Sequence, residues 1–247
     1  MLLTLLLEVG GLLFFDFIPR DIGRASADFI LSVGWLTGCL FLFFHAVQVM
    51  AWDEERRTIH TILARPISRP QYVLGVFLGL AMLLFLLNCI LAILGYVILA
   101  LIKGSVKPIF FHHLSTGHFL LSWLGLYCIE LTILSVIMLF SGLIRGGFPV
   151  LLLSISYYFI CTGLPVVRDS LMALAGEGEI SRSLSTILRW LTALFPDFNR
   201  FDFKALITSE QGKPFIQYFS TDIVLMITYM TVILWCASIV YQRRDLQ

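Results

Sequence analysis

From Gln71 to Ile102 the chain carries no charged side chain. A helix over that run is about 48 Å long at 1.5 Å per residue, well beyond the roughly 30 Å hydrocarbon core of a bilayer. Its first turns must therefore stand outside the hydrocarbon while the rest crosses it. Further apolar runs recur at about 29–50, 119–144, 148–167 and 223–241, and a shorter one at about 1–17 opens the chain. The expected fold is an all-α polytopic membrane protein of six transmembrane helices (1–17, 29–50, 73–102, 119–144, 148–167 and 223–241) forming one domain over 1–247. Composition agrees, with 59% hydrophobic residues against 13% charged and the charges gathered into clusters.

Several function classes fall away at once. A net charge of +1 and the lack of a basic patch interleaved with aromatics argue against nucleic-acid binding. Cys39, Cys89, Cys128, Cys161 and Cys236 sit singly inside apolar runs without CxxC spacing, so they read as small core residues rather than disulfides or metal ligands. The adjacent His112 and His113 with His118 lack the i, i+4 spacing that suits a helical metal site, and no metal is expected. The opening MLLTLLLEVGGLLFF carries Glu8 and no basic n-region, which does not suit a removable signal peptide.

Sidedness follows from where basic residues crowd short loops. Arg56, Arg57, Arg65 and Arg69 share one loop, Arg145 sits in a very short turn, and Arg243 and Arg244 close the chain. In a six-span chain all of these lie on one side. That side is expected to be the cytoplasm, with both termini there and the protein in the cell (inner) membrane. The opposite side holds the long Arg168–Phe219 segment, where Leu184, Ile187, Leu188, Leu191, Leu194 and Phe195 recur at helical spacing and predict an amphipathic helix lying on the membrane or roofing the bundle.

The insert WDEERRTIHTILARPISRP, Trp52 to Pro70, is the most informative short stretch. Asp53, Glu54 and Glu55 would suit the amino end of a helix beginning at or beside Asp53, and Asp53 can pair with Arg57 at i+4. Trp52, Ile59, Ile62 and Leu63 would form one apolar face. Pro66 disfavours helix at the residue before it and ends the run near Arg65. Ser68 is placed to cap the next helix, with Pro70 in its first turn.

The stretch ARPISRPQYVLGVFLG, preceded by an acidic-basic cluster and a Thr, resembles the first cytoplasmic loop of type-2 ABC transporter permeases. The Ser141-Gly142 pair, Phe195-Pro196 with Phe198-Asn199-Arg200-Phe201, and the terminal Tyr241-Gln242-Arg243-Arg244-Asp245-Leu246 also resemble that family's pattern, in order over most of the chain. The resemblance implies a permease working in export or extraction, with a cytoplasmic coupling helix between the second and third spans. It implies two copies of a separate ATPase subunit, and a second permease subunit, identical or homologous. No GxxxxGK[ST] phosphate loop occurs in the sequence, so this chain is read as non-catalytic, with ATP and Mg held by the ATPase and no cofactor of its own. Trp52, Asp53, Glu54, Glu55, Arg56, Arg57, Thr58, Ile59 and Ile62 would form the ATPase-docking surface, apolar anchors flanked by charges that set register.

Inside the spans Glu130 stands out, because a carboxylate there costs at least ~2.5–3.5 kcal/mol and is usually inward-facing. It reads either as interhelical glue or as part of a substrate path or gate, and Asn88 and His45 join it as candidates for the same path. His45 and Gln48 lie one turn apart. Gly75 and Gly79 form a GxxxG, which predicts close helix contact. The competing readings are an intramembrane enzyme and an ion-coupled secondary transporter. The sequence holds neither HExxH nor GxSxG, and only Glu130 lies deep in a span, where a carrier would normally show several such charges.

Overall fold

The computed structural model of the protein describes residues 22–55, 68–105, 116–175, 190, 195–201 and 215–243. Among these the regular structure is entirely helical. A first rod comprises α1 (Ile22–Leu40), a π-helical turn (Phe41–Ala46) and α2 (Val47–Glu55); then follow α3 (Arg69–Ser105), α4 (Thr116–Leu143), α5 (Gly147–Ala175), a 3-10 turn (Phe198–Phe201) and α6 (Phe215–Arg243). Five stretches are long and apolar enough to cross a bilayer, Ala25–Ala51, Arg69–Ser105, Thr116–Leu143, Gly147–Leu171 and Ile223–Arg243. They match the five later sequence-derived spans, of which only 119–144 runs one residue past its helix, while the expected first span, 1–17, lies outside the described residues.

The start of α3 outruns its apolar core because capping chemistry, not hydropathy, sets it. The Ser68 N–H donates to Gln71 Oε1 at 2.9 Å, and the Tyr72 N–H donates to the Ser68 carbonyl at 3.1 Å. Thus α3 begins at Arg69, directly after Ser68, the cap that the sequence placed there, and Pro70 occupies the first turn, where a missing N–H costs nothing. The turn holding Arg145 is as short as expected. It closes through Gly146 at φ +98°, a left-handed conformation that favours glycine.

One expectation needs correcting. The acidic run does not open a helix at Asp53; Trp52 to Glu55 instead form the last turn of α2, continuous with the second span. The helix carries through because no breaking residue intervenes between Val47 and Glu55. Residues 56–67, the rest of the insert, and most of the expected amphipathic segment 184–195 lie outside the described residues.

Helix α4 is the axis of the bundle, touching α1, α2, α3, α5, α6 and the 3-10 turn. In its most apolar stretch 67% of residues are buried, against 33% or less for α3, α5 and α6, so those three keep broad apolar faces outward, as lipid-facing helices do. Exposed Leu78, Met82, Leu101, Phe148, Phe159 and Trp235 mark those faces. The hydroxyls buried along α4 are satisfied within the helix, Thr132 donating to the Cys128 carbonyl at 3.1 Å and Ser135 to the Thr132 carbonyl at 2.7 Å, which removes the cost of placing them in a dry core. The GxxxG expectation also fails within this chain. Gly75 and Gly79 have open space where a Cβ would stand, because they fall on the exposed face of α3.

Between α5 and α6, Tyr157 Oη and Tyr229 Oη lie 2.6 Å apart. Tyr157→Phe and Tyr229→Phe are each expected to cost about 0.6 kcal/mol, up to about 1.7, as single interhelical hydrogen bonds in membranes do. Thermal unfolding in detergent should show the double substitution no worse than either single one; additive losses would mean the two hydroxyls act separately.

Candidate functional site

Three polar features stand out on the axis of the bundle, and the deepest is a three-helix cluster. Asn88 Nδ2 donates to Glu130 Oε2 at 2.6 Å and to the Leu84 carbonyl at 3.1 Å. Glu130 is fully buried, with 0% exposure. Its other oxygen, Oε1, occupies the space that a Cβ on Gly38 would fill, so α1 approaches α4 closely only because residue 38 has no side chain. Gly38, Asn88 and Glu130 fall near the middle of the spans Ala25–Ala51, Arg69–Ser105 and Thr116–Leu143. Neither Glu130 Oε1 nor Asn88 Oδ1 has a hydrogen-bond partner among the described residues.

The second feature lies about one turn away, toward the end of the bundle opposite the insert. A cavity of about 260 Å³ is lined by Trp35, Leu126, Ile129, Tyr158, Thr162, Phe198 and Asn199. Trp35 Nε1 donates to Tyr158 Oη at 3.3 Å, and the 3-10 turn closes one wall by stacking Phe198 on Tyr158 with centroids 6.4 Å apart. Asn199 Nδ2 donates to the Thr162 carbonyl at 3.3 Å. Thr162 directly follows Cys161, whose carbonyl loses its backbone partner because Pro165, inside α5, has no N–H.

The third feature is at the insert end. Arg69 Nη1 donates to the carbonyls of Tyr241 at 3.2 Å and Gln242 at 2.6 Å. These are among the last four carbonyls of α6, which have no intrahelical N–H to accept from. Tyr72, one turn into α3, packs its ring against Tyr241 at 6.4 Å, and Tyr241 Oη donates to Ser141 Oγ at 3.3 Å. A Cβ on Gly142 would come within 2.8 Å of the Tyr241 ring. Thus Ser68-Arg69-Pro70, Ser141-Gly142 and Tyr241-Gln242, far apart in sequence, meet at one point.

A model of the ABC-2 family transporter protein matches residues 22–246. The chain belongs to the ABC-2 transporter family. It is accordingly a multi-pass membrane permease of an ABC transporter, and its five long apolar helices agree. No curated protein matches the chain.

Within this ABC-2 chain the sequence-derived candidates separate. Glu130 and Asn88 come together, whereas His45 sits on the exposed side of the π-helical turn, its ring 5.1 Å from that of Phe41, and joins neither the cluster nor the cavity. Trp52, Asp53, Glu54 and Glu55 end α2 at the base of the insert; Arg56, Arg57, Thr58, Ile59 and Ile62 lie outside the described residues. Sequence reasoning missed Gly38, the cavity residues Trp35, Leu126, Ile129, Tyr158 and Thr162, and the contact of Arg69 with α6. Gly38 carries a signal in hindsight, a glycine at the centre of a span, and Arg69 was legible only as a topology marker.

Breaking the cluster from its two sides should give unequal losses. Glu130→Gln keeps volume and a hydrogen-bonding group, so it should stay near wild type in thermal stability. Glu130→Leu should cost about 0.6–2 kcal/mol for the lost membrane hydrogen bond. Asn88→Leu should cost more, about 1.5–3 kcal/mol, because it strands the buried carboxyl. Melting curves of the three purified variants check this order, and Asn88→Leu milder than Glu130→Leu would refute it.

Proposed function

We propose that the protein is the membrane half of an ATP-driven transporter, coupling ATP hydrolysis in a separate ATPase subunit to export of a substrate across the membrane or its extraction from it. The observation that carries this reading is the placement of the insert. It stands in the chain between the end of α2 at Glu55 and the start of α3 at Arg69, so a partner that moved the insert would act on two spans. The docking surface is Trp52 to Thr58 with Ile59 and Ile62, the apolar residues anchoring in a groove of the ATPase and the charges fixing register. ATP and Mg belong to that partner, in two copies. A second permease, identical or homologous, completes the assembly.

In this reading the chain has six spans, with 1–17 as the first, and both termini face the cytoplasm beside the insert. Glu130 and Asn88 act as a polar latch at the bilayer midplane, whose exchange of partners accompanies the tilting of α1, α3 and α4. The cavity walled by Trp35, Tyr158 and Phe198 offers an amphipathic substrate aromatic surface with Thr162 and Asn199 for hydrogen bonding. His45, on the outward side of the π-helical turn, faces lipid or the second permease.

Two experiments test this function. Replacing Glu54 and Glu55 with Lys should reduce recovery of the ATPase subunit in a detergent pull-down at least tenfold while membrane insertion persists; undiminished recovery with normal transport would sink the docking surface. For topology, single cysteines at Arg57 and Arg145 should be labelled from the cytoplasm and one at Ser209 from outside. Labelling of position 209 from the cytoplasm alone would overturn the six-span arrangement.

A further inference from the structure

The contact between Arg69 and the end of α6 has a mechanical meaning that docking of the insert alone does not supply. Arg69, at the carboxyl end of the insert, is the first residue of α3. Its guanidinium grips the two carbonyls at the far end of another span. A cation at that place meets the negative end of the helix dipole as well as orphan acceptors, so the attachment is charge-assisted and directional. The Tyr72 and Tyr241 rings pack beside it. The Tyr241 hydroxyl then reaches Ser141 while its ring fills the space left by Gly142, so α6 is held at its last turn by α3 on one side and α4 on the other.

We propose that Arg69 is a positioning residue that makes the base of α3 and the end of α6 one moving body, so that displacement of the insert is delivered to the last span directly. This rests on the docking role proposed above and adds to it a second output. Without Arg69, α3 would still follow the insert, but α6 would lose its charge-assisted tie to the base of α3. A tie that merely stabilised the resting fold would leave the coupled motion intact once the protein had folded.

The test separates the two helices. Spin labels on exposed Leu74 and Phe148 report α3 against α5, and labels on Arg243 and Phe148 report α6 against α5. Both distances are measured in the reconstituted complex with its ATPase subunit, without nucleotide and after trapping with ATP and vanadate. In the otherwise wild-type protein both distances should shift on trapping. In Arg69→Met the α3 shift should remain and the α6 shift should be lost, while Arg69→Lys, which keeps the cation, should retain most of it. A bifunctional thiol cross-link between cysteines at positions 69 and 242 should restore the α6 shift. An α6 shift that persists in Arg69→Met, or one abolished by the cross-link, overturns the proposal. If the wild-type α3 distance does not respond to trapping at all, the docking reading itself fails and this inference falls with it, a result distinguishable from selective loss at α6.

Discussion

The fold depends on keeping one carboxyl group away from lipid at the centre of the membrane. Glu130 lies at the middle of the most enclosed helix, and a charge there is costly unless it is paired. One hydrogen bond offsets part of that cost, Asn88 donating from α3, while buried apolar side chains of α4 keep the group from lipid and Gly38 lets the α1 backbone come up against it. Any rotation of α1 or α3 that withdrew these partners would expose the carboxyl or clash with it. The relative register of three helices is thereby fixed at one depth, and polar contacts nearer the two ends of the bundle need only set local angles.

Those end contacts differ in kind. At the insert end they are charge-assisted and bring the ends of α3, α4 and α6 together. Toward the other end they are aromatic and leave a cavity. This division fits the proposed arrangement, in which the ATPase acts at the insert end and the substrate is held further along. It also explains why Phe198 and Asn199 matter although they belong to a short 3-10 turn: one stacks into the bundle and the other donates a hydrogen bond to the Thr162 carbonyl of α5.

Much of this was legible in the sequence, and the failures have physical causes. The five described spans, the cap at Ser68 and the tight turn at Arg145 follow from charge-free runs and local capping chemistry, which depend on neighbours in sequence. Glu130 and Asn88 were singled out because polar groups inside a span are rarely idle. Their pairing was hidden because it depends on which faces of two helices meet. The same limit explains Gly75 and Gly79, whose spacing matches a packing motif but whose face points outward. The π-helical turn from Phe41 to Ala46 was also invisible, since FLFFHA carries no breaking residue. Continuation of α2 through Asp53 was misjudged because the acidic run suits a helix start, yet nothing ahead of it stops the preceding helix.

The order of the three central residues along the chain bears on how the protein is made. Gly38 is synthesised first, Asn88 next and Glu130 last, so the segment carrying the carboxyl enters the bilayer after both of its partners. A lone Glu130 helix would carry the full insertion cost of an ionisable residue, but here the hydrogen-bond donor and the glycine-lined gap are already in the membrane to receive it. A chain that lacks Asn88 would therefore carry a cost as α4 inserts, in addition to the stability it loses once folded.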